Sequence, residues 1–321
     1  MRILLVRGPA VLGLKGRSTI VVETRSGRFE RAIRDVEAVL IVGRRVTVSS
    51  ALLPVLAQHN VPVAFHSMDT IAIVMNPVRM QYNNYRKLQY TLPKVKALEI
   101  AAIYIDAKLQ GMHNVAKYYG VNTPPPRPPP PPLDEEEYEN LIRTWEAAES
   151  QRLWGSIISA LKPGVLRELN SRYGFHGRRP RSPDPFNKTL SLMYAVLYSL
   201  ATRALISAGL DPTYGFLHRT RYSTPLTFDY VEMFKPVAIH ATINMINSDG
   251  LPHIDKTGNL TRTDTQRAFK HLYSLLTLRN RRTGKTPYHQ ITTKAFCLAR
   301  HLEGRCTRRK LIIIWNRKNY K

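Results

Sequence analysis

The chain has 321 residues, which is long enough for two domains that each bury their own core. Its two cysteines, Cys297 and Cys306, are too few for a disulfide framework or a cysteine-based zinc site, and they are typical of a reducing compartment. No signal segment opens the chain, and its longest strongly apolar stretch, Leu190 to Thr202, is too short to cross a bilayer. We therefore expect a soluble, cytoplasmic protein.

Positive charge is the strongest global feature of the sequence. Its 48 Lys and Arg residues against 23 Asp and Glu residues give a formal net charge of +25. This imbalance predicts a polyanionic partner, and nucleic acid is the first candidate because each neutralised phosphate releases counterions and the summed field steers association. Binding to a ribosome-like particle or to a membrane surface is the alternative explanation of the charge.

Residues 1–76 have the pattern of a small β domain. Short β-branched runs broken by glycine have the spacing of strands. Lys15-Gly16 and Ser26-Gly27 are natural hairpin turns, because glycine adopts positive φ. The exception is Ser49 to His59, where leucines recur at helical spacing after Ser50, a plausible N-cap.

The hydrophobic period changes near Pro77, and residues 77–321 are predicted to be almost entirely helical. The predicted fold class is therefore α+β with two domains, a small N-terminal β domain followed by a large all-α domain. Residues 124–132, PPPRPPPPP, cannot form a helix or a sheet, because proline lacks the amide donor and fixes φ. We expect an extended surface loop there, and a proline-rich ligand for a signalling domain is the alternative.

A helix with an acidic first turn is predicted to begin after Asp134. One line along this helix contains both apolar and acidic residues: Ile142, Glu146, Glu149, Leu153 and Ile157. Either the carboxylates lie at the margin of the core and reach water, or at least one of them is held for a cation. The period alone leaves both interpretations open.

The next helix is predicted to begin with Asp184 as its N-cap and Pro185 in its first position, and to end at Gly209. Apolar residues surround most of its circumference, so a central buried helix is expected. Its tyrosines Tyr194 and Tyr198 are interpreted as core residues more readily than as a stacking platform. Further helices are predicted after residue 262.

The stretch GLDPTYGFLHRTRYSTPLTFDYVEMFKP places a histidine and two acids around a helix start. Thr224 followed by Pro225 is typical of an N-cap and a first helical residue. Asp229 and Glu232 then share one helix face, and His218 lies in the preceding turn. Such a trio can supply much of a divalent-metal site. Two acids three residues apart are also common on a solvated stripe, so the motif alone leaves both interpretations open.

Several segments together resemble a known family. They are EAVLIVGRRVTVSSALLPVLAQHNVPVAFHS, AKLQGMHN, DPFNKTLSLMYAVLY, GLDPTYGFLH and PLTFDYVEMFKP, and in this order they cover nearly the whole chain. The set is similar to the CRISPR-associated spacer-acquisition integrase, the universal subunit of CRISPR adaptation. The resemblance implies a homodimer formed through the β domain, with catalysis in the α-helical domain. The implied reaction joins the 3′-hydroxyl ends of a prespacer DNA to the CRISPR repeat. The resemblance also implies assembly with a small ferredoxin-like adaptation subunit, and no membrane.

In that family the metal ligands are a glutamate on one helix, a histidine ending the glycine-bearing turn, and the second acid of a D-x-x-[DE] pair. Carried over by position, they are Glu146, His218 and Glu232, and the implied cofactor is Mg²⁺ or Mn²⁺. Glu146 is preferred to Glu149 because the family glutamate is followed eight residues later by an aromatic, here Trp154.

The resemblance implies supporting roles for two further residues, with Asp229 as the acid beside the ligands and Asn187 as a structural support. For DNA contact we predict a set of basic residues: Arg178, Arg179, Lys235, Arg281 and Arg282. The sequence departs from the family pattern at four positions, where glycine, tyrosine, arginine and aspartate are usual: Ala147, Leu153, Lys235 and His240.

Oxygen ligands with one imidazole suit a cation that aligns a DNA 3′-hydroxyl and stabilises charge on the phosphate in an in-line displacement. With water as the nucleophile, the same centre would hydrolyse DNA. Two alternatives stand beside this hypothesis. One is a structure-selective metal-dependent nuclease, and the other is a non-catalytic scaffold that binds nucleic acid through its basic surface.

Overall fold

The computed structural model describes residues 3–43, 45–59, 61–66, 71–74, 83–218 and 224–321. The described residues before position 75 form two four-stranded sheets and one short helix, α1 (Leu52–Gln58). The strands are β1 (Ile3–Arg7), β2 (Ala10–Lys15), β3 (Thr19–Thr24), β4 (Gly27–Ala32), β5 (Ala38–Val42), β6 (Val46–Val48), β7 (Val63–His66) and β8 (Ile71–Val74).

The two sheets differ in how their strands are connected. One has the order β4-β3-β2-β6, and its antiparallel β2, β3 and β4 are joined by the two predicted hairpin turns. Gly16 and Gly27 in these turns have φ of +61° and +136°. The other sheet has the order β1-β5-β7-β8, in which β1, β5 and β7 run parallel. The parallel strands of this second sheet are joined by crossover connections. Hairpin turns in the sequence predict antiparallel neighbours only, so they do not predict this sheet.

The chain after the strands is helical, as predicted. The α-helices are α2 (Asn83–Tyr90), α3 (Lys94–Tyr118), α4 (Glu135–Ile158), α5 (Pro163–Tyr173), α6 (Pro185–Ser207), α7 (Pro225–Val231), α8 (Lys235–Asp249), α9 (Arg262–Leu276) and α10 (Pro287–Leu302). The change from strand to helix lies between β8 and α2, across residues 75–82, which are outside the described residues. The boundary at residues 76 and 77 therefore stays a prediction.

The mainly parallel sheet separates two cores. Val39 and Ile41 of β5 pack with the second sheet and α1, whereas Leu40, between them, joins the core of the helical region. This alternation is the two-residue period of a strand that is buried on both faces. The sheet thus fixes the helical body, and with it the candidate site, against the N-terminal region.

Helix α6 is the centre of the helical region. Asp184 Oδ1 accepts a hydrogen bond from the Asn187 backbone N at 2.8 Å, and Gly209 beyond the helix end has φ of +82°, so both predicted ends are confirmed. By length and composition α6 could cross a membrane, but 78% of its most apolar window is buried inside the protein. A core helix has this pattern. In contrast, the predicted cap of α1 is wrong, because Ala51 is its N-cap and Ser50 lies outside.

The two cysteines are joined in a disulfide. Cys297 on α10 and Cys306 in the following loop have Cα atoms 5.8 Å apart. The expectation drawn from their number, thiols typical of a reducing compartment, does not hold for this pair, because a count carries no information on separation in space. Disulfides form in oxidising compartments and also inside the cells of hyperthermophiles.

Candidate functional site

The turn before α7 is built around the carboxylate of Asp229. Asp229 Oδ2 accepts hydrogen bonds from the backbone N of Phe216 at 2.6 Å and of Leu217 at 3.1 Å. Its Oδ1 accepts from the backbone N of His218 at 3.1 Å and lies 2.6 Å from His218 Nδ1. Because Nδ1 faces a carboxylate, a metal held by this ring is held through Nε2, an arrangement common among metal-binding histidines. Asp229 therefore positions the imidazole and has its own oxygens occupied.

Gly215 makes this turn possible. A Cβ at this position would lie 2.4 Å from the His218 carbonyl oxygen and 2.6 Å from Pro225 Cβ. Neither neighbour can yield, since one is backbone and the other is the first residue of α7. The helix begins at Pro225, as predicted, although the Thr224 side chain caps no amide. A close backbone approach, which only glycine permits, thus delivers His218 to the start of α7.

Two lysines and two glutamates meet where α7 ends. Glu232 opens a short 3-10 helix, Glu232–Phe234, and is 2% exposed. Lys108 of α3 forms ion pairs with both Glu146 of α4 and Glu232, and its Nζ lies 3.0 Å from Glu232 Oε2. Lys235 pairs with the other oxygen of Glu232. Three separate helices and the 3-10 turn thus bring the two predicted carboxylate ligands to one buried point.

The lysines keep Glu232 ionised. Burial opposes ionisation of Glu232, but the charges of Lys108, Lys235 and His218 outweigh it and lower its pKa to about 2. Burial likewise opposes the charged form of Lys108, but Glu146 and Glu232 raise its pKa above the ordinary value. Glu232 and Lys108 are therefore both charged at neutral pH.

The geometry around Glu232 fits a cation. Its Oε2 accepts no well-formed hydrogen bond, although Lys108 Nζ is nearby. The ammonium of Lys108 compensates the charge of this oxygen at 3.0 Å without forming a well-aligned hydrogen bond, so the oxygen can still accept another group. Two carboxylates and the Nε2 of His218 form a donor set suited to Mg²⁺ or Mn²⁺. Within the described ranges no three His, Cys, Asp or Glu side chains converge as a metal cluster, and Lys108 forms ion pairs with both acids.

An aromatic and basic surface adjoins the cluster. The Arg178 guanidinium lies 5.6 Å from the ring centroid of Tyr194, and Lys235 Nζ lies 5.5 Å from the same centroid. Tyr194 is 7% exposed, in agreement with its interpretation as a core residue. The cations of Arg178 and Lys235, two predicted DNA contacts, thus share one ring close to Glu232.

Asn187 fixes the loop that carries Arg178 and Arg179. Its Oδ1 accepts hydrogen bonds from Arg178 NH1 at 2.9 Å and from the backbone N of Arg179 at 3.0 Å. Its Nδ2 donates to the Gly177 carbonyl oxygen at 3.0 Å. The structure therefore places Asn187 behind the basic loop.

Two other predicted DNA contacts lie on a different element. Arg281 and Arg282 are exposed in the turn between α9 and α10, and the backbone N of Arg281 donates to the Asn319 carbonyl oxygen at 2.8 Å. His240, one of the departures from the family pattern, is buried in the core, where Trp315 Nε1 donates to its Nδ1 at 3.3 Å. Burial, helped by Arg317, lowers the pKa of His240 to about 3.

A cleft of about 1810 Å³ runs between the β region and the helical body. The aromatic rings of Tyr194, Tyr198 and Phe228 line one part of it. Basic side chains from both regions line the rest, among them Arg7, Arg31, Arg45, Arg178, Lys188 and Arg262. Apart from Arg178, sequence analysis did not identify these residues, because they are scattered along the chain.

Glu149, the acid of α4 that was not assigned as a ligand, is buried between two arginines. Glu149 is 2% exposed. Its Oε1 accepts a hydrogen bond from Arg127 Nε at 2.6 Å, and its Oε2 accepts one from Arg152 NH2 at 2.7 Å. Trp145 Nε1 donates to the Arg127 carbonyl oxygen at 3.1 Å, and Arg152 NH1 donates to that of Pro124 at 3.0 Å. The proline run thus packs along α4 instead of projecting from it. We call Glu149, Arg127 and Arg152 the arginine clamp.

A strand-rich region followed by a helical body defines a fold class shared with solved structures. A casposase bound to an integration product has a TM-score of 0.77 and 20% identity, over 95% of this chain and 91% of that one. A Cas1 protein from Thermotoga maritima has a TM-score of 0.75 and 18% identity, over 94% of this chain and 97% of that one.

The sequence identifies the family within this class. The model of the CRISPR associated protein Cas1 family matches residues 4–273. The CRISPR-associated endonuclease Cas1 of Hyperthermus butylicus is 30% identical over 257 residues, which are 74% of this chain and 75% of that protein. The chain therefore belongs to the Cas1 family, and the resemblance found in the sequence is confirmed.

Proposed function

We propose that this protein is a DNA endonuclease and integrase of CRISPR adaptation, which uses Mg²⁺ or Mn²⁺ to join the 3′-hydroxyl ends of a prespacer to the CRISPR repeat. The observation that carries the proposal is the buried Glu232 carboxylate, whose Oε2 lacks a well-formed donor beside Glu146 and the oriented His218. The Hyperthermus butylicus relative is an endonuclease, and the casposase of similar fold is bound to an integration product; both support nuclease and integrase chemistry.

Each residue of the site has a role that follows from its contacts. Glu146, His218 Nε2 and Glu232 would hold the cation, and Asp229 keeps the imidazole in the orientation that this requires. A bound divalent cation supplies activation of the attacking hydroxyl and stabilisation of charge on the phosphate. Lys235 and Arg178, beside Tyr194, neutralise phosphates next to the reacting one.

The basic cleft suits the proposed partners. Arginines from both the β region and the helical body face it, so a DNA strand bound there contacts both regions at once. We propose prespacer and repeat DNA as substrates, a homodimer as the working form, and the small ferredoxin-like adaptation subunit as a partner. A cytoplasmic location follows from these substrates.

A strand-transfer assay separates this function from its alternatives. The protein, with and without the small subunit, is incubated with Mn²⁺, a repeat-bearing plasmid and labelled oligonucleotides that have either a free or a blocked 3′ end. Joined products that form only with the free 3′-hydroxyl support integration. Cleavage of both oligonucleotides without joined products would identify a plain nuclease, and binding without either reaction would identify a scaffold.

A further inference from the structure

Lys108 is buried between the two candidate carboxylate ligands. Its side chain is 9% exposed, and it is the cation that contacts Glu146 and Glu232 together. Lys235 differs, since its side chain is 18% exposed and pairs with Glu232 on the side that faces Tyr194. Lysine is rarely buried unless its charge is compensated, and here two acids compensate it.

The charges of this cluster balance without a metal. Two carboxylates, Glu146 and Glu232, face two ammonium groups, Lys108 and Lys235, so the charges of these four side chains sum to zero. Asp229, which lies against His218, adds one negative charge behind the imidazole. A divalent cation added to these groups would still leave an excess of about one positive charge, which is unfavourable where the groups are shielded from water. Either Lys108 must leave the carboxylates, or an anion must enter with the cation.

We infer that Lys108 occupies the cation position in the DNA-free protein, and that a DNA phosphate releases it, so that metal binding and DNA binding strengthen each other. This inference rests on the proposed function of the site. The lysine chain has four flexible carbons and a compact charge, so its ammonium can swing from the carboxylates to an incoming phosphate. The phosphate then becomes the negative partner of Lys108, and the two carboxylates that Lys108 has left bind the metal cation.

Thermodynamic linkage makes this coupling measurable. If DNA raises the affinity for the metal by some factor, the metal must raise the affinity for DNA by the same factor. Couplings of this kind are typically about 5- to 150-fold. Replacing Lys108 by a neutral residue should remove most of the coupling, because the metal no longer competes with an internal cation.

The test measures Mn²⁺ binding directly, by the loss of the free Mn²⁺ signal in electron paramagnetic resonance, with the full-length chain. Lys108→Met and Lys108→Gln are compared with the wild type, with and without a 3′-blocked duplex that cannot be joined. Lys294→Met is the matched control, because Lys294 is a partly buried lysine whose Nζ donates to the Lys310 carbonyl oxygen at 2.7 Å, away from the carboxylates. Thermal melting confirms that each variant is folded, and Lys108→Gln retains a polar group if Lys108→Met does not fold.

We expect the DNA-free Lys108 variants to bind Mn²⁺ at least about tenfold more tightly than the wild type, with little further gain from DNA. The wild type and Lys294→Met should both gain about tenfold from DNA. Equal Mn²⁺ affinities in the wild type and the folded Lys108 variants would overturn the inference and leave the proposed function standing. Absence of Mn²⁺ binding to the wild type, with or without DNA, would overturn the metal site itself.

Discussion

Two acids of helix α4, Glu146 and Glu149, lie about one helical turn apart and are compensated in different ways. Glu146 shares the ammonium of Lys108 with Glu232, one oxygen of which has no well-formed donor. Glu149 receives one nitrogen of Arg127 and two of Arg152 at the arginine clamp. Both oxygens of Glu149 accept hydrogen bonds, whereas Oε2 of Glu232 accepts no well-formed one. This difference distinguishes a structural acid from a site that can accept a further group.

The identity of the cations strengthens this contrast. Arginine offers a planar fork that fixes a carboxylate, whereas lysine is a point charge on a flexible chain. The clamp also ties α4 to the proline run through Trp145 and the backbone carbonyl of Arg127, and proline restricts that segment further. The arginine clamp therefore anchors α4 three residues from Glu146, the acid that contacts Lys108.

The largest effect should come from Glu232→Gln, which keeps the shape of the side chain but removes the charge that holds a cation. We expect strand transfer and cleavage in Mg²⁺ or Mn²⁺ to fall by about a thousandfold or more. DNA binding should persist or tighten slightly, because a carboxylate facing phosphate has been removed. Gel assays of joining and of binding measure the two effects separately. A fully active Glu232→Gln protein would place the metal on other carboxylates.

A smaller effect is expected from Asp229→Asn. The amide can accept fewer of the bonds from the backbone N–H groups of Phe216, Leu217 and His218, and it no longer fixes His218 Nδ1. Losing such a supporting group typically costs about 10- to 100-fold in metal affinity or activity. Titrating activity against Mn²⁺ concentration tests the assignment, because part of the loss should be recovered at high Mn²⁺. A loss that no Mn²⁺ concentration changes would contradict the positioning role.

Three residues along α4 from Glu146, Glu149→Gln should act on stability and leave most of the activity intact. Breaking a buried ion pair is costly, but Arg127 and Arg152 are 71% and 34% exposed, so we expect the free energy of unfolding to fall by only about 1–2 kcal/mol. Denaturant unfolding of the two proteins measures this difference. An inactive but stable Glu149→Gln protein would reverse the roles of the two acids.

The pH dependence of the same pair sharpens the test. Burial opposes ionisation of Glu149, but the hydrogen bonds and charges of Arg152 and Arg127 hold its pKa below the ordinary 4.5. A pKa that is lower in the folded protein contributes stability above 4.5, and that contribution is lost as the pH falls through the folded value. The stability difference between the wild type and Glu149→Gln should therefore shrink below pH 4.5.

The sequence could predict much of the fold but could not separate these acids. Local signals suffice for the ends of α6, since Asp184 and Gly209 act within one turn of the helix. In contrast, Glu146 and Glu149 lie on one helical line, and the groups that distinguish them are distant in sequence. Lys108 is 38 residues from Glu146, and Arg127 is 22 residues from Glu149.

One signal in the sequence could have identified Lys108. It lies in α3 between Ala107 and Leu109, which are both fully buried, so the helical period puts it on a face where a lysine needs an acidic partner. The arrangement of the cleft and of the mainly parallel sheet had no comparable signal, since both depend on contacts between segments far apart in the chain.

The smallest effect is expected from Arg127→Met, which tests how much of the clamp depends on one exposed arginine. The Arg127 side chain is 71% exposed, and its backbone carbonyl, which accepts from Trp145 Nε1, is retained in the variant. We expect a loss of about 0.5–1 kcal/mol in unfolding free energy, because Arg152 still neutralises Glu149. A double-mutant cycle with Glu149→Gln should give a coupling energy of similar size. A coupling near zero would mean that solvent already screens this ion pair, so that Arg152 alone compensates Glu149 and the proline run is held by its backbone contacts.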